Sequence, residues 1–292
     1  MPSYAADSPA LGTGRVTPAE LGRMKDRGEK IAMVTAYDAP SGRLADRAGV
    51  DCVLVGDSAA MTMFGRDSTV TATMEEMLLL TRAARSGVSR ALLIADMPFG
   101  SFQVSDVAAA ENAIRFVKEA GADAVKLEGA GTSVRRIAAI VGAGIPVVGH
   151  LGLTPQSATL LGGLKAQGRT AEKAERMCHD AVALEQAGCC AIVLEAIPEP
   201  VARRISRAAR VPTIGIGAGA ACDGQVLVWH DLLGLSDGHV ARFVKRYATL
   251  GDEILSALQH YVSDVRGSRF PEAAHTYKMP KFELDLFEDH VQ

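Results

Sequence analysis

The chain has 292 residues, 48% of them hydrophobic and 22% charged, with a formal net charge of -3. That is the profile of a soluble globular protein with enough chain to bury a large core. With no dense Lys/Arg stripe there is no support for a nucleic-acid partner, and no run of about 18 apolar residues exists to span a membrane. The five cysteines (Cys52, Cys178, Cys189, Cys190, Cys222) are odd in number and form no CxxC pair. This argues against a disulfide framework and a zinc site, and a reducing cytoplasm is the expected location.

In chain order, residues 1–15 contain no apolar signal-peptide core and read as a loose polar arm. Short apolar runs then recur: IAMVTAYD (31–38), CVLVGDS (52–58), ALLIADMP (91–98), AVKLEG (124–129), PVVGHLG (146–152), AIVLEAIP (191–198) and TIGIGAG (213–219), with QVLVWHD (225–231) as an eighth. Helix-like segments separate most of them. Thr17 to Glu20 and Thr73 to Glu76 have capping-box spacing, and Ser105-Asp106 opens a long alanine-rich segment. Three units echo one another, AGVDCVLVGD, AGADAVKLEG and AGCCAIVLEA, each with Ala-Gly closing a helix before a strand that runs to a polar tip.

Strand alternating with helix means a parallel sheet, and the repetition favours a closed (β/α)8 TIM barrel in the α/β class. The rival doubly wound sheet lacks its GxGxxG fingerprint after the first strand. Two strand-following connections are long, 59–72 and 153–169, and the glycines of the second suit a cover. Only a short link separates the seventh run from the eighth, too short for an ordinary crossover helix. Helical heptads over 237–264 would wrap the barrel, which is expected as one domain over 16–280 with a C-terminal extension, 281–292.

The polar tips in order are Asp38, Asp57-Ser58, Asp96, Lys126 with Glu128, His150 and Glu195. A barrel brings them to one mouth. Asp38, before Ala39-Pro40, reads as a helix cap. Convergent carboxylates need positive charge among them, and oxygen donors without paired His or Cys favour a hard cation, Mg²⁺ first and Mn²⁺ close behind. A 2-oxo acid could chelate such an ion, which would acidify its neighbouring C–H, with Glu195 as candidate base. Lys126 with Glu128 as a structural ion pair, and His150 as a core histidine, are the plainer readings.

These residues resemble the ketopantoate hydroxymethyltransferase (3-methyl-2-oxobutanoate hydroxymethyltransferase) family. The likeness runs through VTAYD, VGDS, ADMPF, VKLEG, GHLGLTPQS, VLEAIP, IGIGAG and DGQVLVWHDLLG, over about residues 17–275. The resemblance implies a phosphoenolpyruvate mutase/isocitrate lyase-like barrel that moves a one-carbon unit from 5,10-methylenetetrahydrofolate to 3-methyl-2-oxobutanoate, giving 2-dehydropantoate for pantothenate and coenzyme A synthesis. It implies Asp57 and Asp96 as Mg²⁺ ligands, with Glu128 completing the metal site. Ser58 and Lys126 would hold the oxo acid beside those aspartates, His150 would line the pocket, and Glu195 would accept the proton. It also implies a ring-like homo-oligomer, a decamer in many members. This chain departs from the family pattern at Ala59-Ala60 and Val70-Thr71, in the first mouth loop. Two alternatives stand: a carbon-carbon lyase or phosphonomutase, whose lyases carry a cysteine on a Gly-rich mouth loop, and a non-catalytic scaffold barrel with its acids paired off.

Overall fold

A computed structural model describes residues 14–236 and 240–289, so the expected arm lies almost wholly outside it, as do residues 290–292 of the extension. The chain divides into two compact units, one running to Leu232 and including Ser236–Lys245, the other made of Leu233–Leu235 and the chain from Arg246. The division falls inside the stretch 16–280 expected to form one domain.

The first unit is an eight-stranded closed parallel barrel. Helix α1 (Pro18–Asp26) precedes β1 (Ile31–Thr35), α2 (Ala39–Arg47), β2 (Cys52–Val55), the short α3 (Ala59–Thr62), α4 (Met74–Arg85) and β3 (Leu92–Asp96). Then come α5 (Asp106–Ala120), β4 (Ala124–Glu128), α6 (Thr132–Gly142), β5 (Val147–Gly152), the short α7 (Ala158–Leu161) and α8 (Ala171–Gln186). The barrel closes with β6 (Ala191–Glu195), α9 (Glu199–Ala208), β7 (Thr213–Ile216) and β8 (Gly224–Leu227), which pairs with β1 and is followed by α10 (Trp229–Leu233). Each apolar run of the sequence holds one strand. As its spacing requires, the β7–β8 link carries no helix.

The caps explain where helices start. Thr73 and Glu76 form a reciprocal capping box at α4, and Ser105 caps α5 through Ala108 N. Asp38 is the cap of α2, in a capping box with Ser41, as its Ala-Pro context requires. Gly121 ends α5 in the left-handed conformation.

Period-two alternation sorts the strand residues into two cores. Val53, Val55, Leu93, Val125, Leu127, Ile192 and Leu194 face the helices. Met33, Cys52, Leu54, Leu92, Ile94, Ala124, Val148, Ala191, Val193 and Ile214 fill the barrel interior, joined by Val16 and by Leu21 and Met24 of α1. Each such side chain contributes about 1.5–3 kcal/mol when fully buried. The inward series continues past this apolar layer to Asp96, Lys126, Glu128, His150 and Glu195, so the same alternation that builds the core carries charge to the carboxyl-terminal mouth.

The second unit holds α11 (Leu250–Arg266) and α12 (Lys281–Asp289). Of the helical heptads read over 237–264, only the part from Leu250 is helical, in α11; residues 240–249 are turn and irregular chain, and 237–239 lie outside the described range. Within this unit Phe270 packs its ring 5.7 Å from Tyr261 and 5.4 Å from His275. Ile254, Leu258, Tyr261, Val262 and Val265 of α11 remain exposed.

Candidate active site

The mouth holds a cavity of about 100 Å³ lined by Asp57, Ser58, Thr69, Asp96, Lys126, Glu128, His150 and Glu195 among others. Two clefts of about 230 Å³ elsewhere on the unit are larger, but neither includes any of these charged residues. All seven site residues expected from the sequence therefore come together. None of the five cysteines lines this cavity, so the cysteine expected of a lyase has no counterpart at the mouth.

Strand register sets the neighbours. Asp96 of β3 lies opposite Lys126 of β4, and Glu128 lies opposite His150 of β5. Lys126 Nζ sits 2.7 Å from Asp96 Oδ1, both side chains only 5% exposed. Burial works against the ammonium, but the Asp96, Glu128 and Asp57 carboxylates outweigh it and hold Lys126 charged, well above its usual range. Lys126 and Glu128 are thus compensated by the mouth rather than only by each other.

Asp57 and Ser58 lie just beyond β2, in the turn into α3. The backbone N of Asp57 donates to Asp96 Oδ2 at 3.1 Å, which locks the two aspartates side by side. Ser58 Oγ lies 2.9 Å from the hydroxyl of Tyr37, a fully buried phenol that burial pushes above its usual range. Ala59 and Ala60, where the chain departs from the family pattern, are fully buried in α3, directly after the Asp57-Ser58 turn.

The second mouth loop contributes a residue that strand-tip reasoning misses. Gln156 is 7% exposed. Its side-chain amide donates to Asp57 Oδ2 at 2.8 Å and to Met97 O at 3.0 Å, while its backbone N donates to Glu128 Oε2 at 3.0 Å. The signal was present in GHLGLTPQS, but a loop glutamine carries no period that would aim it at two acids.

His150 bridges the two ends of the site. Its Nε2 lies 3.2 Å from Glu195 Oε2 and its Nδ1 3.5 Å from Glu128 Oε1. The Nε2 contact is close but poorly aligned, so that nitrogen makes no directed hydrogen bond. Burial and the Lys126 ammonium oppose the imidazolium, yet Glu128 and Glu195 outweigh them and raise His150 to about 9. Glu195 is the most open of the paired acids, its side chain 17% exposed against 4% for Glu128. It is held at a sharp strand end: Ala196 has a φ of +48°, its N donates to Ile216 O at 2.8 Å, and its carbonyl accepts from Gln167 N at 2.9 Å. Opposite it, Gly152 has a φ of +101°, and a Cβ there would lie 2.1 Å from Glu195 O.

Whether a divalent cation fits follows from the charge balance. Burial raises Asp57 well above the usual carboxylate range, and the Asp96 and Glu128 charges push it further than Lys126 and Gln156 pull it back. Burial also raises Asp96, despite Lys126. Glu128 is held low, because His150, Lys126 and the Gln156 N–H outweigh its burial. One lysine shared among three acids leaves the two aspartates short of positive charge, and Asp96 Oδ1, though 2.7 Å from Lys126 Nζ, has no directed hydrogen bond. Among the described residues no group of three His, Cys, Asp or Glu forms a ready-made ion cage. Two carboxylates completed by water and substrate are the usual way Mg²⁺ is held, and the donor set fits such an ion.

Comparison with known proteins gives the relationship. The ketopantoate hydroxymethyltransferase family profile matches residues 15–273. The chain is 55% identical over 264 residues to the 3-methyl-2-oxobutanoate hydroxymethyltransferase of Moorella thermoacetica, covering 90% of this chain and 98% of the relative. Against the enzyme of that name from Anaeromyxobacter sp. strain Fw109-5 the identity is 53% over 267 residues, with coverage of 90% and 88%. Among solved structures, phosphoenolpyruvate phosphomutase from Streptomyces platensis subsp. rosaceus superposes with a TM-score of 0.58 at 18% identity, over 94% of this chain and 98% of that one. A 2,3-dimethylmalate lyase, a PEP mutase/isocitrate lyase superfamily member, gives 0.58 at 17% identity, over 95% and 100%. At such identities the likeness speaks to fold, and it bears out the phosphoenolpyruvate mutase/isocitrate lyase-like barrel. By profile and by relatives of over half identity across nearly its whole length, the chain belongs to the ketopantoate hydroxymethyltransferase family.

Proposed function

We propose that the chain transfers a hydroxymethyl group from 5,10-methylenetetrahydrofolate to 3-methyl-2-oxobutanoate, forming 2-dehydropantoate for pantothenate synthesis. The observation that carries the reading is the buried mouth cluster, Asp57, Asp96, Lys126, Glu128 and His150 with the more open Glu195, in a chain of this family.

Asp57 and Asp96 would hold one Mg²⁺, with Glu128 completing its surroundings. When bound, the ion supplies positive charge and Lewis acidity toward the oxo acid's oxygens. Lys126 and Ser58 bind and orient the substrate carboxylate, and Tyr37 fixes the serine hydroxyl through their 2.9 Å contact. The Glu195 carboxylate takes the proton from C3 of the oxo acid, and His150, 3.2 Å from it, keeps the carboxylate in place. The resulting C3 nucleophile attacks the folate methylene carbon. A new C–C bond forms, both C–N bonds from the methylene carbon to the folate break, water supplies the hydroxyl oxygen, and tetrahydrofolate leaves with its two nitrogens protonated, one proton coming from Glu195 and one from the water. The apolar interior layer beneath keeps bulk water away from the reacting carbon.

No helix of the described residues is long and apolar enough to cross a membrane. The free cysteines support a reducing cytoplasm as the location, and the exposed apolar residues of α11 support assembly into a homo-oligomer, with a decamer as the expected form. The test of the chemistry is ¹H NMR of 3-methyl-2-oxobutanoate in D₂O with protein and Mg²⁺. Exchange of the C3 proton that stops on adding EDTA is expected. If no exchange occurs and no product forms when the folate is added, the reading is wrong.

A further inference from the structure

Five buried side-chain polar atoms have no hydrogen-bond partner among the described residues: Thr69 Oγ1, Arg90 Nε, Asp96 Oδ1, His150 Nε2 and His230 Nδ1. Those of Thr69, Asp96 and His150 belong to residues that line the mouth cavity. Asp96 and His150 have charged neighbours that account for them. Thr69 has none, although its residue is only 3% exposed.

Mobility does not explain the unpaired hydroxyl. Thr69 stands in the tight turn Thr69–Thr71 of the first mouth loop, and that turn is pinned on both sides. Arg66 donates to Thr71 O at 2.9 Å and pairs with Glu76, which is itself fixed in the α4 capping box. The neighbouring hydroxyls are used to build the turn: Ser68 Oγ accepts from Val70 N at 3.2 Å, and Thr71 Oγ1 donates to Ser68 O at 2.9 Å. Only the Thr69 hydroxyl of this turn is left without a partner, in a residue that lines the mouth cavity together with Pro155 of the second loop. A buried hydroxyl without a partner weakens the free fold, and such a group persists most readily where a ligand completes it.

Although Asp57, Asp96, Glu128 and Glu195 line the same cavity, none of their oxygens lies within hydrogen-bond distance of Thr69 Oγ1. The oxo acid is the occupant that would bring an acceptor to it. Of the oxo acid's groups, the carboxylate alone is charged, and its two oxygens offer about four acceptor positions, more than Ser58 and Lys126 fill. We propose that Thr69 is a substrate-binding residue whose hydroxyl donates to the carboxylate of the 2-oxo acid at the roof of the cavity. This rests on the functional reading above.

The experiment is calorimetric titration of 3-methyl-2-oxobutanoate, with Mg²⁺ present and no folate, into the wild-type protein, Thr69→Val and Thr69→Ser, with thermal unfolding of each free protein alongside. Loss of one charge-assisted hydrogen bond should weaken binding to Thr69→Val about tenfold, while Thr69→Ser stays within about threefold of wild type. Free Thr69→Val should melt at or above the wild-type temperature, since valine removes a buried unpaired hydroxyl at nearly constant shape. Unchanged affinity in Thr69→Val overturns the contact, and so does a parallel loss of affinity and melting temperature in both variants, which marks a structural role. Wild-type protein that binds no oxo acid overturns the functional reading itself, and the Thr69 contact falls with it.

Discussion

Gln156→Leu tests how the site is held together. The substitution keeps the side-chain volume close and leaves the backbone N–H on Glu128 untouched, so it isolates the hold on Asp57. Three hydrogen bonds are lost: to Asp57 Oδ2 at 2.8 Å, to Met97 O at 3.0 Å, and from Gln103 Nε2 at 3.2 Å. The one to a carboxylate is worth about 1.5–3 kcal/mol and the neutral pair about 0.5–1.5 each, while burying leucine recovers about 1–2. The net loss is about 0.5–5 kcal/mol, centred near 3, because leucine leaves no room for a water to replace the amide. The single tryptophan, Trp229, reports on this end of the barrel, since its backbone N–H donates to Thr35 Oγ1 at 2.9 Å. Urea unfolding followed by its fluorescence should show the midpoint fall with an unchanged slope. Mg²⁺ affinity should fall about 10–100-fold, the usual effect of losing a residue that orients a metal ligand. A destabilised variant with wild-type Mg²⁺ affinity would refute the claim that Gln156 orients Asp57, and a change under about 0.5 kcal/mol would refute the energetic argument.

Glu195→Gln should slow C3 proton exchange by about 10²–10⁴-fold with oxo-acid affinity nearly unchanged, and a parallel loss of both, measured by NMR and titration, would make Glu195 structural. Asp57→Asn and Asp96→Asn should each abolish saturable Mn²⁺ binding followed by electron paramagnetic resonance; retention in both would point to a scaffold barrel. The Arg66 guanidinium, chief among its partners, holds Glu76 near 2, below its ordinary value of 4.5. The bridge therefore stabilises the fold fully above about pH 4.5 and loses its effect as pH falls toward 2. The stability gap between wild type and Glu76→Gln, read from urea midpoints, should close over that window, and a pH-independent gap would exclude the bridge as its cause. Gly152→Ala should cost at least about 1–3 kcal/mol from its left-handed backbone alone, and its Cβ would displace the Glu195 carbonyl, so proton exchange should fall with stability; a variant that melts and exchanges like wild type would contradict the geometry.

What the sequence made legible followed from periodicity. Alternation along β4 put Lys126 and Glu128 on one face and Val125 and Leu127 on the other, and the same rule carried Asp96, His150 and Glu195 inward. Register was not legible, so the pairing of Lys126 with Asp96 rather than Glu128 emerged only with the folded sheet. Loop residues were less so: Gln156 reaches the site and Thr69 lines its cavity from segments with no repeat, where a polar side chain carries no sign of which way it points.

The charge count at the mouth explains why these loop residues matter. The strands deliver Asp96, Glu128 and Glu195 with one lysine and one histidine, and β2 adds Asp57. Lys126 and His150 suffice for Glu128, which stays below its ordinary range, but not for Asp57 and Asp96, which are pushed above it. An interior filled by neutral side chains would be more stable; breaking a buried charge pair typically costs about 3–5 kcal/mol. The barrel tolerates the imbalance because the apolar layer from Ile31 to Val226 lies below it and the hydrogen bonds of Gln156 immobilise the acids above. The deficit of positive charge is confined to Asp57 and Asp96, two of the four carboxylates that line the cavity, and it is the imbalance that the proposed divalent cation would relieve.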